Sequence, residues 1–175
     1  MTQFASKQYE GRTYTFEHLQ PMTIGLQLNI KGRQHLHRLD IDVTFGCHCF
    51  TEAFVEGTHG AHHRYTHEGE LRAFEPLRYE CSLQLPQVMN GIEAGLIYRS
   101  DQSYTYVARI TLTSEGGPQE YSVFFSLNRP ARNQQEPASR LMMYVKSAYL
   151  APLKARGKNA RNWRFKGLVS EIAGL

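Results

Sequence analysis

The stretch FGCHCFTEAF, residues 45–54, sets His48 between Cys47 and Cys49. Thiols and an imidazole this close offer metal ligation or proton and thiolate chemistry. Metal ligation requires the three groups to converge on one point. The pattern just upstream speaks against convergence. In RLDIDVTF, residues 38–45, Leu39, Ile41, Val43 and Phe45 alternate with Asp40, Asp42 and Thr44. Continued with a period of two, that strand sends Cys47 and Cys49 to the apolar face and His48 to the polar one. The expectation is two reduced, structural cysteines and no metal site. Gly46 is the point at which a bulge would change the parity. His48 is left for acid–base work, since an imidazole titrates near neutrality.

Other candidate groups are weaker. His59, His62, His63 and His67 lie in VEGTHGAHHRYTHEGE, residues 55–70, a polar stretch with Gly57, Gly60 and Gly69. It reads as a His-rich loop, with neither a Cys-x-x-Cys pair nor a His-Glu-x-x-His helix to build a metal site. Asp40 and Asp42 share a strand face and have the chemistry for Mg²⁺, but read as a solvated face. A Gly-x-Ser-x-Gly elbow, a P-loop and a dinucleotide fingerprint are absent, which removes the common hydrolase, nucleotide-binding and dehydrogenase classes. No cofactor is expected.

Charge is unevenly spread. The net +4 of the 175 residues combines −4 over residues 1–128, +9 over residues 129–170, where Glu136 is the only acid, and −1 from Glu171. Lys146, Lys154, Arg156, Lys158, Arg161, Arg164 and Lys166 fall in an acid-free run, with Trp163 among them as a stacking side chain. Such a run is the footprint of a polyanionic partner, RNA before DNA. An acidic protein partner, such as an antitoxin, would be attracted by the same charge.

These groups need a scaffold. A length of 175 residues suits one globular domain, with the basic segment 129–170 as its C-terminal third. MTIGLQLNI (residues 22–30) and RLDIDVTF alternate as a β-hairpin. LRYECSLQL (residues 77–85) alternates briefly. From Leu85, the spacing of Val88, Met89, Ile92, Leu96 and Ile97 predicts the main helix, with Pro86 in its first turn. SYTYVARITLT, EYSVFFSL, RLMMYVKSAY and NWRFKGLVS then predict four strands. The expected fold is α+β: an N-terminal β-hairpin, one main helix, and a four-stranded antiparallel meander with the helix packed on one face. With no long apolar segment, no leader-like N-terminus and an odd set of three cysteines, the chain reads as cytoplasmic, with no membrane association.

The blocks HCFT (residues 48–51), RYECSLQLP (residues 78–86) and RLMMYVKSAY (residues 140–149) resemble those of a family of small bacterial proteins that has no function to carry over. Cys81 stands where that pattern has a small apolar residue. The expected topology is also similar, at fold level, to the barnase–EndoU–colicin E5–RelE group of metal-independent ribonucleases. That likeness implies toxin or phage-conflict chemistry on RNA. The enzyme would deprotonate the 2′-hydroxyl, stabilise the phosphorane and protonate the leaving oxygen. The residue types suit the roles: His48 as base or acid, Arg78 or Lys146 on the phosphate, Ser147 and Tyr149 orienting it or donating a proton, and Tyr144 and Trp163 stacking bases. The alternative is a non-enzymatic module that grips nucleic acid or protein through the basic third.

Overall fold

A computed structural model of the chain describes residues 3–30, 34–99, 106–114, 117–130, 138–151 and 162–175. The elements are β1 (Lys7–Tyr9), β2 (Arg12–Tyr14), β3 (Met22–Leu28), β4 (His37–His48), β5 (Thr51–Ala53), β6 (Arg64–His67) and β7 (Glu70–Phe74). There follow α1 (Pro76–Ser82), α2 (Leu85–Gly91), β8 (Leu96–Arg99), β9 (Tyr106–Ser114), β10 (Gly117–Asn128), β11 (Arg140–Leu150), β12 (Asn162–Arg164) and α3 (Phe165–Ala173).

The alternating segments form strands as their periodicity requires. In β3, Ile24, Leu26 and Leu28 are buried; in β4, Leu39, Ile41, Val43 and Phe45; in β11, Leu141, Met143 and Val145. Their intervening residues are exposed or half-buried, so one face of the sheet carries the core. On the other face, Asp42 accepts from Arg140 Nη1 at 2.7 Å and from Thr23 Oγ1 at 2.9 Å, which fills its carboxylate with cross-strand partners.

The arrangement of these strands corrects the expected fold class. They belong to a seven-stranded mixed sheet in the order β12-β8-β9-β10-β11-β4-β3, and the protein is mostly β, with short helices. It is not one main helix on a four-stranded antiparallel meander. The turning point is a parallel pairing of β11 with β4, in register from Arg140 opposite Asp40. That pairing welds the N-terminal hairpin to the meander as one sheet. The fourth strand of the meander is β8, beside β9, and the C-terminal β12 pairs with β8 at the far edge.

Three local expectations fail for identifiable reasons. Residues 77–85 are not a strand: Glu75 caps α1 by accepting from the Leu77 and Arg78 amides at 3.2 and 2.6 Å, and Pro76 supplies the first-turn φ. The expected helix from Leu85 to Ile97 stops at Gly91, where glycine lowers helix stability, and the chain re-enters the sheet at Leu96. NWRFKGLVS is a strand for only three residues. Phe165, Leu168, Val169 and Ala173 then bury one stripe of α3, which ends at Gly174 in the left-handed region, φ 74°.

The stretch expected as a His-rich loop also carries structure. β6 and β7 pair through Glu68 (φ 49°) and Gly69 (φ 82°), the two positive φ values of a type I′ hairpin, and β5 completes a three-stranded sheet in the order β5-β7-β6. The aromatic part of the core lies here. Phe16 stacks on Phe50 with centroids 3.9 Å apart, and the Phe4 and Tyr65 rings meet Phe50 edge-on at 5.1 Å each.

Beside that core, Ser82 Oγ donates to the Tyr79 carbonyl at 2.6 Å, so His18 Nε2–H is the donor in its 2.8 Å bond to Ser82. Burial holds the His18 imidazole below its ordinary value. The unfolded chain therefore takes up this proton at a higher pH than the folded one. Its stabilisation is complete above the unfolded value, about pH 6.5, and is lost as pH falls from there toward the lower folded value. Chemical denaturation at pH 7.5 and 5.5 is expected to show a smaller pH difference in His18→Gln than in the parent. An unchanged difference contradicts this assignment.

Candidate functional site

The site grows from an irregularity in β4. Phe45 lies opposite Val145, yet His48 lies opposite Ser147, so β4 spends one more residue than β11 over this step. That is a β-bulge at Gly46-Cys47. Glycine is required for space: a Cβ on Gly46 would stand 3.0 Å from the Lys146 carbonyl oxygen and run into the Tyr144 hydroxyl. Past the bulge the strand ends in a turn, closed by bonds from Cys49 N to the Gly46 oxygen at 3.2 Å and from Phe50 N to the Cys47 oxygen at 3.1 Å.

The bulge overturns the expectation that Cys47 and His48 diverge. Cys47 Sγ, a His48 ring nitrogen and a Glu70 carboxylate oxygen all lie within 4.8 Å of one another. Glu70, at the head of β7, accepts from His48 Nε2 at 3.0 Å. A carboxylate only accepts, so Nε2 carries the proton and Nδ1 keeps the lone pair. This bond, the largest influence on Glu70, holds its carboxyl below the usual range. Arg72 braces the carboxylate from behind, donating to Glu70 Oε1 and, through Nε, to Thr51 Oγ1, both at 3.2 Å. Burial, with the Glu70 charge adding to it, pushes the Cys47 thiol up, so this cysteine is not an activated nucleophile. Cys49 is fully buried, its thiol pushed up to about 12 by burial, and its Sγ meets the Val145 carbonyl at 3.7 Å. It is structural, as expected.

The backbone of His48 gathers the other sequence candidates. Its carbonyl accepts from Arg78 Nη1 at 3.4 Å and from Ser147 Oγ at 3.5 Å, and Arg78 Nη1 makes a shorter bond, 2.8 Å, to the Thr51 carbonyl. The guanidinium lies 4.6 Å over the Tyr149 ring, which is stacked on Phe124 at 5.2 Å. Among the described residues no carboxylate pairs with Arg78. Arg78 and Tyr149 line a cleft of about 110 Å³ together with Glu75, Leu77, Cys81 and Leu150. His48, Arg78, Ser147 and Tyr149 are thus one neighbourhood, held by α1, β4 and β11.

The basic residues are not gathered in the same way. Lys146 is exposed on β11. Trp163 and Arg164 lie on β12, four strand intervals from β11 in the sheet order, which corresponds to roughly 19 Å across it. Trp163 Nε1 donates to Glu171 at 3.0 Å, and Lys166 Nζ pairs with Glu93 at 3.2 Å. Lys154, Arg156, Lys158 and Arg161 lie outside the described residues. Tyr144 stands instead at the bulge, where burial and the neighbouring Cys47, Cys49 and Glu70 raise its phenol. Glu70 and Arg72 escaped the sequence reading. The turn pair Glu68-Gly69 between alternating residues was the signal for the hairpin that delivers them.

Compared with known proteins, residues 6–173 match the model of the YjaZ family. No curated protein matches the chain, and no solved structure does.

Proposed function

The chain belongs to the YjaZ family, and we propose that it is an RNA-directed protein, a metal-independent endoribonuclease centred on His48. The observation that carries this is the meeting of Arg78 and Ser147 at the His48 carbonyl, with the Tyr149 ring against the Arg78 guanidinium. In the proposed step, Nδ1 of His48 takes the proton of a ribose 2′-hydroxyl. Glu70, on Nε2–H, fixes the tautomer and stabilises the imidazolium that forms. The 2′-oxygen bonds to phosphorus, the bond from phosphorus to the 5′-oxygen breaks, and the Tyr149 phenol protonates that oxygen as it leaves. Arg78, with no carboxylate partner among the described residues, faces the charge that builds on the phosphate. The Phe124–Tyr149 stack offers an aromatic surface for a base.

The direct test is an RNA oligonucleotide carrying one 2′-deoxy nucleotide at the cleavage position. It is expected to stay intact while the all-ribose parent is cut. Cleavage of both at one rate contradicts the mechanism, because the deoxy sugar has no internal nucleophile.

A further inference from the structure

We propose that Cys47, His48 and Glu70 form a three-ligand site for a transition-metal ion, zinc above the others. The inference stands on the bulge geometry and does not depend on the proposed cleavage. A thiolate, an imidazole and a carboxylate are the sulfur, nitrogen and oxygen donors that Zn²⁺ accepts, and harder ions such as Mg²⁺ reject the sulfur. The three atoms already lie within 4.8 Å of one another. Tetrahedral zinc needs them roughly 3.3–3.8 Å apart, from bond lengths of ~2.0–2.3 Å, so the step to a bound state is small. Side chains alone can make it, because the Glu70 side chain is 51% exposed and His48 33%. The same exposure leaves an entry path and an open fourth position for water.

Charge also balances. Thiolate and carboxylate each bring −1 and neutral imidazole brings none, so a divalent ion closes the site at zero. The thiol proton leaves to solvent as the sulfur–metal bond forms, and the imidazole proton passes from Nε2, the nitrogen beside Glu70, to Nδ1, so that Nε2 can hold the ion and about one proton is released per ion bound. The supporting groups are already placed. Arg72 orients the Glu70 carboxylate, and Thr51 Oγ1 donates to the Cys47 carbonyl at 2.8 Å, bracing the bulge. A metal-bound His48 is spent as a base, so the ion and the proposed cleavage exclude each other.

The test uses the full, tag-free chain with Co²⁺ as the spectroscopic probe, then Zn²⁺ in competition with a chromophoric chelator. One cobalt per chain is expected, with a sulfur-to-metal charge-transfer band and the intense visible bands of four-coordinate geometry. Stoichiometric Zn²⁺ should abolish both. Cys47→Ser should remove the charge-transfer band. Cys47→Ser and Glu70→Gln should each weaken Zn²⁺ binding by at least the ~10–100-fold typical of losing even an outer partner. His62→Ala, paired with His63→Ala, should change nothing. Circular dichroism of each variant shows whether it is folded, and Glu70→Gln, at an exposed position, keeps the test open should Cys47→Ser fail to fold. Binding that is absent, or that persists in both site variants and vanishes in the His62/His63 pair, overturns the proposal. Neither outcome bears on whether the metal-free chain cuts RNA.

Discussion

Replacing His48 by Ala should slow RNA cleavage by about 10²–10⁴-fold, the usual contribution of a positioned proton-transfer group. The side chain is one-third exposed and ends at Glu70, which keeps a cation, Arg72, at 3.2 Å when the imidazole is gone. The lost contact is therefore local, and the strand pairing of β4 with β11 does not depend on the ring. Glu70→Gln should cost less than His48→Ala, because the imidazole remains and only its orientation and charge support weaken. Arg78→Ala should affect both binding and rate, since one guanidinium holds the β4–β5 turn through the Thr51 carbonyl and supplies the cation beside Tyr149. Assays run in EDTA keep these comparisons on the metal-free chain. Full activity in all three variants would show that this face is a well-packed strand end and nothing more.

The largest effect on stability is expected at Phe50. Its ring is fully buried, stacked on Phe16 and flanked edge-on by Phe4 and Tyr65. Phe50→Ala removes three ring contacts and leaves a hole between β4 and the small sheet. The expected cost is about 3–5 kcal/mol, near the upper end for a single truncation. Phe50 sits in the turn that ends β4, and its carbonyl accepts from the Glu75 amide at 3.1 Å, at the N-cap of α1. Loss of this packing should loosen the cap that aims Arg78. Phe50→Leu, which refills most of the volume, should recover much of the loss. Urea denaturation of the three proteins measures this. A midpoint in Phe50→Ala equal to the parent's would mean that the aromatic core is not what fixes the turn.

The parts of this architecture that were legible in the sequence are those decided by short-range alternation. β3, β4 and β11 were readable because one face is buried and the other is not, and β10 because Tyr121, Val123, Phe125 and Leu127 alternate along it. The residues gathered at the His48 carbonyl were readable as chemical types, though not as neighbours. What escaped was decided by long-range contact or by one residue. The parallel pairing of β11 with β4 joins residues about a hundred positions apart, and no local pattern encodes it. Leu77, Tyr79 and Cys81 alternate like a strand, yet Glu75 and Pro76 start a helix, and a cap outweighs three alternating letters. Glu70 reaches His48 only because Glu68-Gly69 turns a hairpin inside a polar stretch. Cys47 and Cys49 are buried as the alternation required, but the single extra residue at Gly46 brings the Cys47 sulfur and the His48 ring together.

The most direct measurement of the central claim is the chemistry of the RNA ends. Folded protein, incubated in EDTA with a mixed-sequence RNA pool, should yield fragments ending in a 2′,3′-cyclic phosphate or the 2′- or 3′-phosphate formed by its hydrolysis, with free 5′-hydroxyls on the partner fragments. That pattern follows from attack by the 2′-oxygen and departure of the 5′-oxygen. An intact pool at several pH values, or fragments with 3′-hydroxyl and 5′-phosphate ends, would contradict it.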